Sequence, residues 1–161
     1  MKLTFWGTRG SIAVPGPDTL RYGGNTTCLS LEIADQPPIV LDAGTGIRPL
    51  GLKLMERPGP LHIKLLITHL HWDHLLGFPF FRPIYHPEVS LDMGGWPRCL
   101  EGVQSLFDSQ RRDGHFPVTF NQLPSRIRRD QDLLAPRFDL GPVRVRTIPL
   151  NHPQGGIGLR F

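Results

Sequence analysis

The order of apolar and polar residues along the chain indicates short strands that alternate with helices. The stretch from Leu61 to Ile67 is the strongest strand candidate, because five of its seven residues are apolar. Segments 28–34 and 143–148 alternate apolar and polar residues, which is typical of strands with one buried face. Four shorter segments complete the predicted strands: 3–6, 39–42, 116–120 at a sheet edge, and 156–161.

Apolar residues at helical spacing mark the segments between several of these strands. The spacing predicts helices over 44–56 and 98–110 and a short helix over 75–81. Strands and helices alternate without a linker or an internal repeat. We therefore interpret residues 1–161 as a single α/β domain.

Composition narrows the class of protein. Glycine (18) and proline (17) supply more than a fifth of the 161 residues, which argues against a helical bundle and for many shaped loops. The two cysteines lie far apart and form no disulfide framework. No apolar run approaches the ~18 residues of a membrane-spanning helix, and no signal-peptide core precedes the first strand. We expect a soluble, cytoplasmic protein that does not bind membranes.

The charge balance favours an anionic ligand. The chain has 15 Arg, 3 Lys and a net charge of +4, and arginine suits phosphate groups. The basic runs Arg111–Arg112 and Arg126–Arg129 are interleaved with acidic residues, which is typical of an ordinary solvated face. RNA is therefore considered as a partner but not favoured over a small phosphodiester or nucleotide.

A dense cluster of histidines follows the strongest strand. His69, His71, Asp73 and His74 form the pattern His-x-His-x-Asp-His. In an extended segment side chains two apart point the same way, so the first two histidines can bind one ion. Imidazole and carboxylate groups suit Zn²⁺, Mn²⁺ or Fe. A turn into a helix would direct Asp73 and His74 towards a second ion.

This motif and four other segments resemble a known family. Residues 68–74 match the metal-binding signature of the metallo-β-lactamase fold superfamily. The glycine-rich segments 5–11 and 21–27 resemble its phosphodiesterase branch, which includes phosphoribosyl cyclic phosphodiesterases and tRNA 3′-end nucleases. Residues 41–46 are similar to the family's second strand and following turn, and 151–153 to the segment that bears its third histidine.

The resemblance implies a role for each matching residue. His69, His71 and His152 would bind one metal, and Asp73 with His74 the other. Asp73 would also lie near the attacking water as a catalytic proton acceptor. Two Zn²⁺ ions are expected for a complete site, with Mn²⁺ or Fe as alternatives.

Four further residues are candidates for support or substrate binding. Asp42 follows an apolar strand, where it could cap the next helix; the resemblance favours a buried support for the metal ligands. The loops 7–11 and 23–26 are either simple glycine turns or phosphate-binding backbone. Arg9, Arg21 and Asn25 are the substrate-binding candidates in or beside them.

The family pattern is incomplete in this sequence. The resemblance implies a bridging aspartate and a further histidine downstream of His152, but no Asp, Glu or His follows it. We therefore expect a C-terminally truncated αββα sandwich, with its N-terminal half, the first strands of its second half and partial metal occupancy. Uncovered apolar sheet faces and edges lead us to expect a homo-oligomer or a complementing chain.

Three functions remain open from the sequence. The leading hypothesis is a metal-dependent hydrolase that cleaves a phosphodiester, in a cyclic phosphate or nucleotide, with a metal-activated water. Its activity is expected to be impaired in this short chain. The alternatives are a non-catalytic metal-binding or assembly module, and a thioester hydrolase or iron dioxygenase on the same fold.

Overall fold

The larger sheet of the protein has six strands and mixed directions. Neighbours from β1 to β3 run antiparallel, whereas β3 to β6 run parallel to one another. The computed structural model describes residues 1–112 and 114–161. The strands, in order across the sheet, are β1 (Lys2–Gly7), β2 (Cys28–Glu32), β3 (Ile39–Leu41), β4 (Leu61–Ile67), β5 (Val89–Gly95) and β6 (Arg126–Arg129).

A second, three-stranded antiparallel sheet packs on the first. It consists of β7 (Arg137–Leu140), β8 (Val143–Pro149) and β9 (Ile157–Arg160), with β8 in the middle. Inward-facing apolar residues of both sheets form one core between them, because side chains along a strand alternate between its two faces. The buried members are Leu31, Ile33, Ile39, Leu41, Leu66, Leu133, Phe138, Leu140 and Val145.

Helices cover the opposite face of the larger sheet. They are α1 (Ile47–Leu54), α2 (Trp72–Leu75) and α3 (Cys99–Arg112). Their apolar residues form a second core with the strands, which includes Ile47, Leu50 and Leu54 of α1, and Val103 and Phe107 of α3. None of the helices in the described residues is long and apolar enough to cross a membrane.

The predicted α/β fold class is confirmed, with helices on one side of a mixed sheet and a second sheet on the other. The strand prediction for Leu61–Ile67 agrees with the structure at both ends. The helix predicted over 98–110 is α3, and that over 44–56 is the shorter α1. These segments carry strong periodicity, which explains the agreement.

Two local predictions were wrong. Residues 116–120 form no strand: Phe116 instead packs against the ring of Phe107 at 5.7 Å, and a 3-10 helix spans Phe120–Gln122. Pro117 lacks the N–H group that a strand ladder uses, so aromatic packing prevails over pairing there. The helix predicted over 75–81 is replaced by α2, which ends at Leu75, and a 3-10 helix over Phe78–Phe80.

Three strands were not predicted because polar residues interrupt their patterns. β5 contains Asp92, and β6 is the run Arg-Ile-Arg-Arg. In the structure Asp92 of β5 and Arg128 of β6 neutralise each other, since Arg128 Nε donates to Asp92 Oδ1 at 2.5 Å across the strands. The third strand, β7, is only four residues long.

Candidate metal centre

The candidate residues meet at one edge of the larger sheet. Parallel strands β3 and β4 end side by side, so Asp42 and Thr68, the residues that follow them, are neighbours. The loop between β8 and β9 reaches the same edge, because Ile157 N donates to the carbonyl oxygen of Thr68 at 3.0 Å. That contact brings His152 beside the motif of residues 69–74.

The five predicted metal ligands form two overlapping groups. One consists of His69, His71 and His152, and the other of His69, Asp73 and His74; within each, the ligand atoms lie within 4.8 Å of one another. The ring of His69 lies 3.9 Å from that of His74 and 4.6 Å from that of His152. Nitrogen and carboxylate ligands at this density fit a divalent metal ion. His69 belongs to both groups, which differs from the predicted division.

Asp42 orients the ring of His74 through a hydrogen bond. Its Oδ2 accepts a hydrogen bond from His74 Nδ1 at 2.8 Å and from Thr68 Oγ1 at 2.9 Å, and its Oδ1 accepts from Thr68 N at 2.7 Å. Asp42 is buried and adopts a positive φ of 60°. When the His74 ring is neutral, the proton on Nδ1 leaves the lone pair on Nε2, which lies 3.5 Å from Asp73 Oδ2.

Thr68 orients His69 in the same way. Its hydroxyl donates to Asp42 and therefore accepts from Nδ1 of His69, at 3.0 Å. Burial, with a smaller repulsion from His74, lowers the pKa of His69 from 6.5 to about 4. His69 is consequently neutral at pH 7, with its Nε2 lone pair available to a cation.

The carboxyl group of Asp73 stays ionised although it is partly buried. Burial raises its pKa, but the hydrogen bond from the Ser11 N–H at 2.9 Å and the nearby His74 outweigh burial and lower it. For His74, burial lowers the pKa, whereas the hydrogen bond and charge of Asp42 more than offset it and raise the pKa. The carboxylates of Asp42 and Asp73 thus lie directly beside the imidazole rings of the cluster.

Gln154 orients the ring of His71, and the sequence analysis did not identify Gln154 as a functional residue. Its Oε1 accepts a hydrogen bond from His71 Nε2 at 2.8 Å. Nδ1 of His71 then carries a lone pair, which faces His152 Nε2 at 3.1 Å. Gln154 has a positive φ of 61°, a sparsely populated conformation for a side-chain-bearing residue. The only sequence signal was its position two residues after His152.

The predicted substrate-binding residues lie in loops of different kinds. Arg9 Nε donates to the carbonyl oxygen of Ile12 at 3.0 Å, in the loop whose Ser11 N–H binds Asp73. The side chain of Asn25 bonds within the protein, accepting from Thr45 Oγ1 at 3.3 Å. Arg21 stacks on the ring of Tyr22, 5.0 Å from its centroid. Of the three, Arg9 belongs to the loop that contacts the cluster directly.

A cavity of about 670 Å³ opens beside the cluster. His71 and Gln154 form part of its wall, together with Trp72, Trp96 and Arg98. Trp72 is largely exposed there. The cavity therefore offers apolar surface and one guanidinium group next to the candidate metal ligands.

Comparison with known proteins identifies sequence relatives among ribonucleases. No family model matches the chain. Ribonuclease BN of Cronobacter sakazakii is 28% identical over 166 residues, which cover 100% of this chain and 49% of that protein. Ribonuclease Z of Shouchella clausii is 30% identical over 118 residues, or 70% of this chain and 32% of that protein. The chain thus spans about half or less of the length of these relatives.

Two solved structures share the architecture. The metallo-β-lactamase fold protein YhfI from Bacillus subtilis has a TM-score of 0.62 at 16% identity, over 98% of this chain and 56% of that one. The chain has the metallo-β-lactamase fold. Zn²⁺-bound PqqB from Methylobacterium extorquens has a TM-score of 0.55 at 15% identity, over 99% of this chain and 59% of the PqqB chain. The metallo-β-lactamase resemblance drawn from the histidine motif is confirmed, and the ribonuclease relatives match the predicted nuclease-like branch.

Proposed function

We propose that this metallo-β-lactamase fold protein is a metal-dependent hydrolase of phosphodiesters. The observation that carries the proposal is the joint arrangement of His69, His71, Asp73, His74 and His152 at one sheet edge. The ribonuclease relatives support a phosphodiester as the bond that is cleaved. The Zn²⁺-bound neighbour supports zinc as the metal.

The imidazole rings are prepared for a cation before any ion arrives. Acceptors hold one nitrogen of each of three rings: Thr68 for His69, Gln154 for His71 and Asp42 for His74. In the neutral rings the opposite nitrogens keep their lone pairs, and these nitrogens are the atoms that bind metal ions. Such an ion, when bound, supplies a hydroxide nucleophile at neutral pH and stabilises negative charge on phosphoryl oxygens.

Asp73 is the proposed proton acceptor. The Ser11 N–H fixes its Oδ2 at 2.9 Å, and its lowered pKa keeps the carboxylate ionised. A fixed, ionised carboxylate can orient the attacking water and take up its proton. The cavity bounded by Trp72 and Arg98 lies beside the cluster and has room for the leaving part of the substrate.

Turnover of bis-p-nitrophenyl phosphate by the zinc- or manganese-loaded chain tests this proposal. We expect Asp73→Asn to lower the rate about 100-fold or more, the usual range for a positioned general base. Asp108→Asn, which changes an exposed aspartate on α3, is the matched control and should keep the rate. A chain that holds its metal but never cleaves a diester would contradict the proposal and favour a non-catalytic metal-binding module. Cleavage of a thioester by the iron-loaded chain alone would favour the thioester-hydrolase alternative.

A further inference from the structure

The outer face of the second sheet carries a row of arginines. Arg137 on β7 lies directly opposite Arg146 on β8, and Arg146 lies directly opposite Arg160 on β9. We call these three residues the arginine row. All three are exposed. Strands lie about 4.8 Å apart, so the row extends about 10 Å across the sheet.

The row faces away from the protein interior. Val145, the residue before Arg146, is buried in the core between the two sheets, as is its cross-strand partner Phe138. Adjacent residues of a strand point to opposite faces. The guanidinium groups therefore project from the face that does not pack on the larger sheet.

Little negative charge on this face offsets the row. The register places seven residues of β7, β8 and β9 on it: Arg137, Asp139, Arg144, Arg146, Ile148, Gly158 and Arg160. The one carboxylate among these described positions, Asp139, pairs with Arg144 at 3.6 Å. Like charges directly opposite each other destabilise a sheet. A bound anion would offset that repulsion. The arginine row is therefore suited to an anionic ligand.

The basic run identified in the sequence is arranged differently. Arg128 is bonded to Asp92, and Arg129 to Glu101. Those two arginines are neutralised within the fold, as expected for an ordinary protein face. The arginine row, whose members lie far apart in the sequence, retains its positive charge.

The chemistry of the row fits phosphate groups in series. Guanidinium groups bind phosphate oxygens in pairs, and a strip of arginines can follow a phosphate backbone. Phe161 lies beside Arg144, Arg146 and Arg160 in one shallow cavity, where a base can stack on its ring. Strand β8 leads from Arg146 towards His152, and the six residue steps from one to the other span at most about 20 Å.

We propose that the arginine row binds the sugar–phosphate backbone of a nucleic acid. The binding surface is separate from the histidine cluster and needs no metal ion. A nucleic acid held there could reach the candidate metal centre along β8. The binding proposal stands or falls independently of hydrolysis.

Fluorescence anisotropy with a labelled oligouridylate tests the proposal on the full chain without added metal. The triple variant R137Q/R146Q/R160Q should bind at least tenfold more weakly at low salt. The slope of log K against log salt should fall by about 2, because each phosphate contact on a single strand contributes about 0.7. The melting temperature of the variant should not fall, since repelling charges are removed.

The control variant R48Q/R57Q/R82Q removes the same charge from other exposed positions. It should retain the affinity and the salt slope of the unmodified chain. Equal losses in both variants would overturn the proposal, because binding would then follow net charge alone. Failure of the unmodified chain to bind the oligonucleotide, or tighter binding to anionic lipid vesicles, would overturn it too. Bis-p-nitrophenyl phosphate turnover, measured alongside, should be the same in the row variant and the unmodified chain.

Discussion

Asp42 and Asp92 are both buried carboxylates that hold a histidine, yet only one of them is also paired with an arginine. Asp42 accepts from His74 at 2.8 Å, and Asp92 contacts His62 at 2.6 Å. Asp92 also binds the guanidinium group of Arg128. The other partner of Asp42 is Thr68, which carries no charge.

This difference separates a structural pair from a candidate metal support. Burying a carboxylate is costly unless a positive charge compensates it. Arg128 compensates Asp92 within the sheet. At the edge where Asp42 lies, Asp73 adds a second carboxylate, and the described hydrogen bonds and ion pairs of both residues include no lysine or arginine. A metal ion bound at this edge would add the kind of fixed positive charge that Arg128 supplies to Asp92.

Removing Asp42 should have the largest effect. Asp42→Ala leaves Thr68 N–H, Thr68 Oγ1 and His74 Nδ1 without their acceptor, and alanine disfavours the positive φ. We expect a loss of about 3 kcal/mol in the free energy of unfolding without metal, measured by urea denaturation. Zinc affinity should fall about 10- to 100-fold. Unchanged zinc affinity in a folded Asp42→Ala or Asp42→Asn chain would show that Asp42, like Asp92, does not support metal binding.

Removing Asp92 should cost less and leave metal binding unaffected. Arg128 and His62 are 65% and 40% exposed, so water can solvate them once the carboxylate is gone. We expect Asp92→Ala to lose about 1 kcal/mol of unfolding free energy, with the zinc affinity unchanged. A zinc affinity that falls as far as in Asp42→Ala would show that both pairs serve the same purpose.

The pH dependence of the Asp92 contribution has a definite sign. Burial raises the pKa of Asp92, but Arg128 and His62 outweigh burial and lower it. The stabilisation is therefore complete above the unfolded pKa of about 3.9 and disappears as pH falls through the lower folded pKa. Unfolding curves of the unmodified chain and Asp92→Ala should converge at that acid limit.

Gln154 should have the smallest effect on stability and a measurable effect on metal binding. Gln154→Gly removes the acceptor of His71 Nε2 but tolerates the positive φ of 61°. We expect the unfolding free energy to change by less than about 0.5 kcal/mol, because relief of strain and added chain entropy nearly cancel. Zinc affinity should fall about tenfold. Gln154→Glu retains an acceptor and should keep the affinity; equal losses in both variants would contradict this role for the amide oxygen.

The sequence predicted those parts of the molecule whose signals are local. The uninterrupted apolar run of β4 and the motif that follows it specify a strand and a dense set of ligands within seven neighbouring residues. Strands β5 and β6 escaped prediction because the pairing of Asp92 with Arg128 joins residues far apart in the sequence. Gln154 escaped for the same reason, since its contact with His71 depends on the path of the β8–β9 loop.

The arginine row is a further feature that the sequence alone did not predict. Arg137, Arg146 and Arg160 are separated in the sequence, and only the strand register places them opposite one another. The contiguous run Arg126–Arg129 was conspicuous in the sequence, but two of its arginines, Arg128 and Arg129, form ion pairs in the structure. Charge clusters in sequence and charge clusters in space are therefore different predictors of anion binding.

Zinc titration by calorimetry of three chains tests the central claim most directly. His69 belongs to both ligand groups, whereas His62 is held by the neutralised Asp92. We expect saturable zinc binding by the unmodified chain and by His62→Ala, and its loss in His69→Ala. Zinc binding by folded His69→Ala with the stoichiometry and affinity of the unmodified chain would contradict this claim.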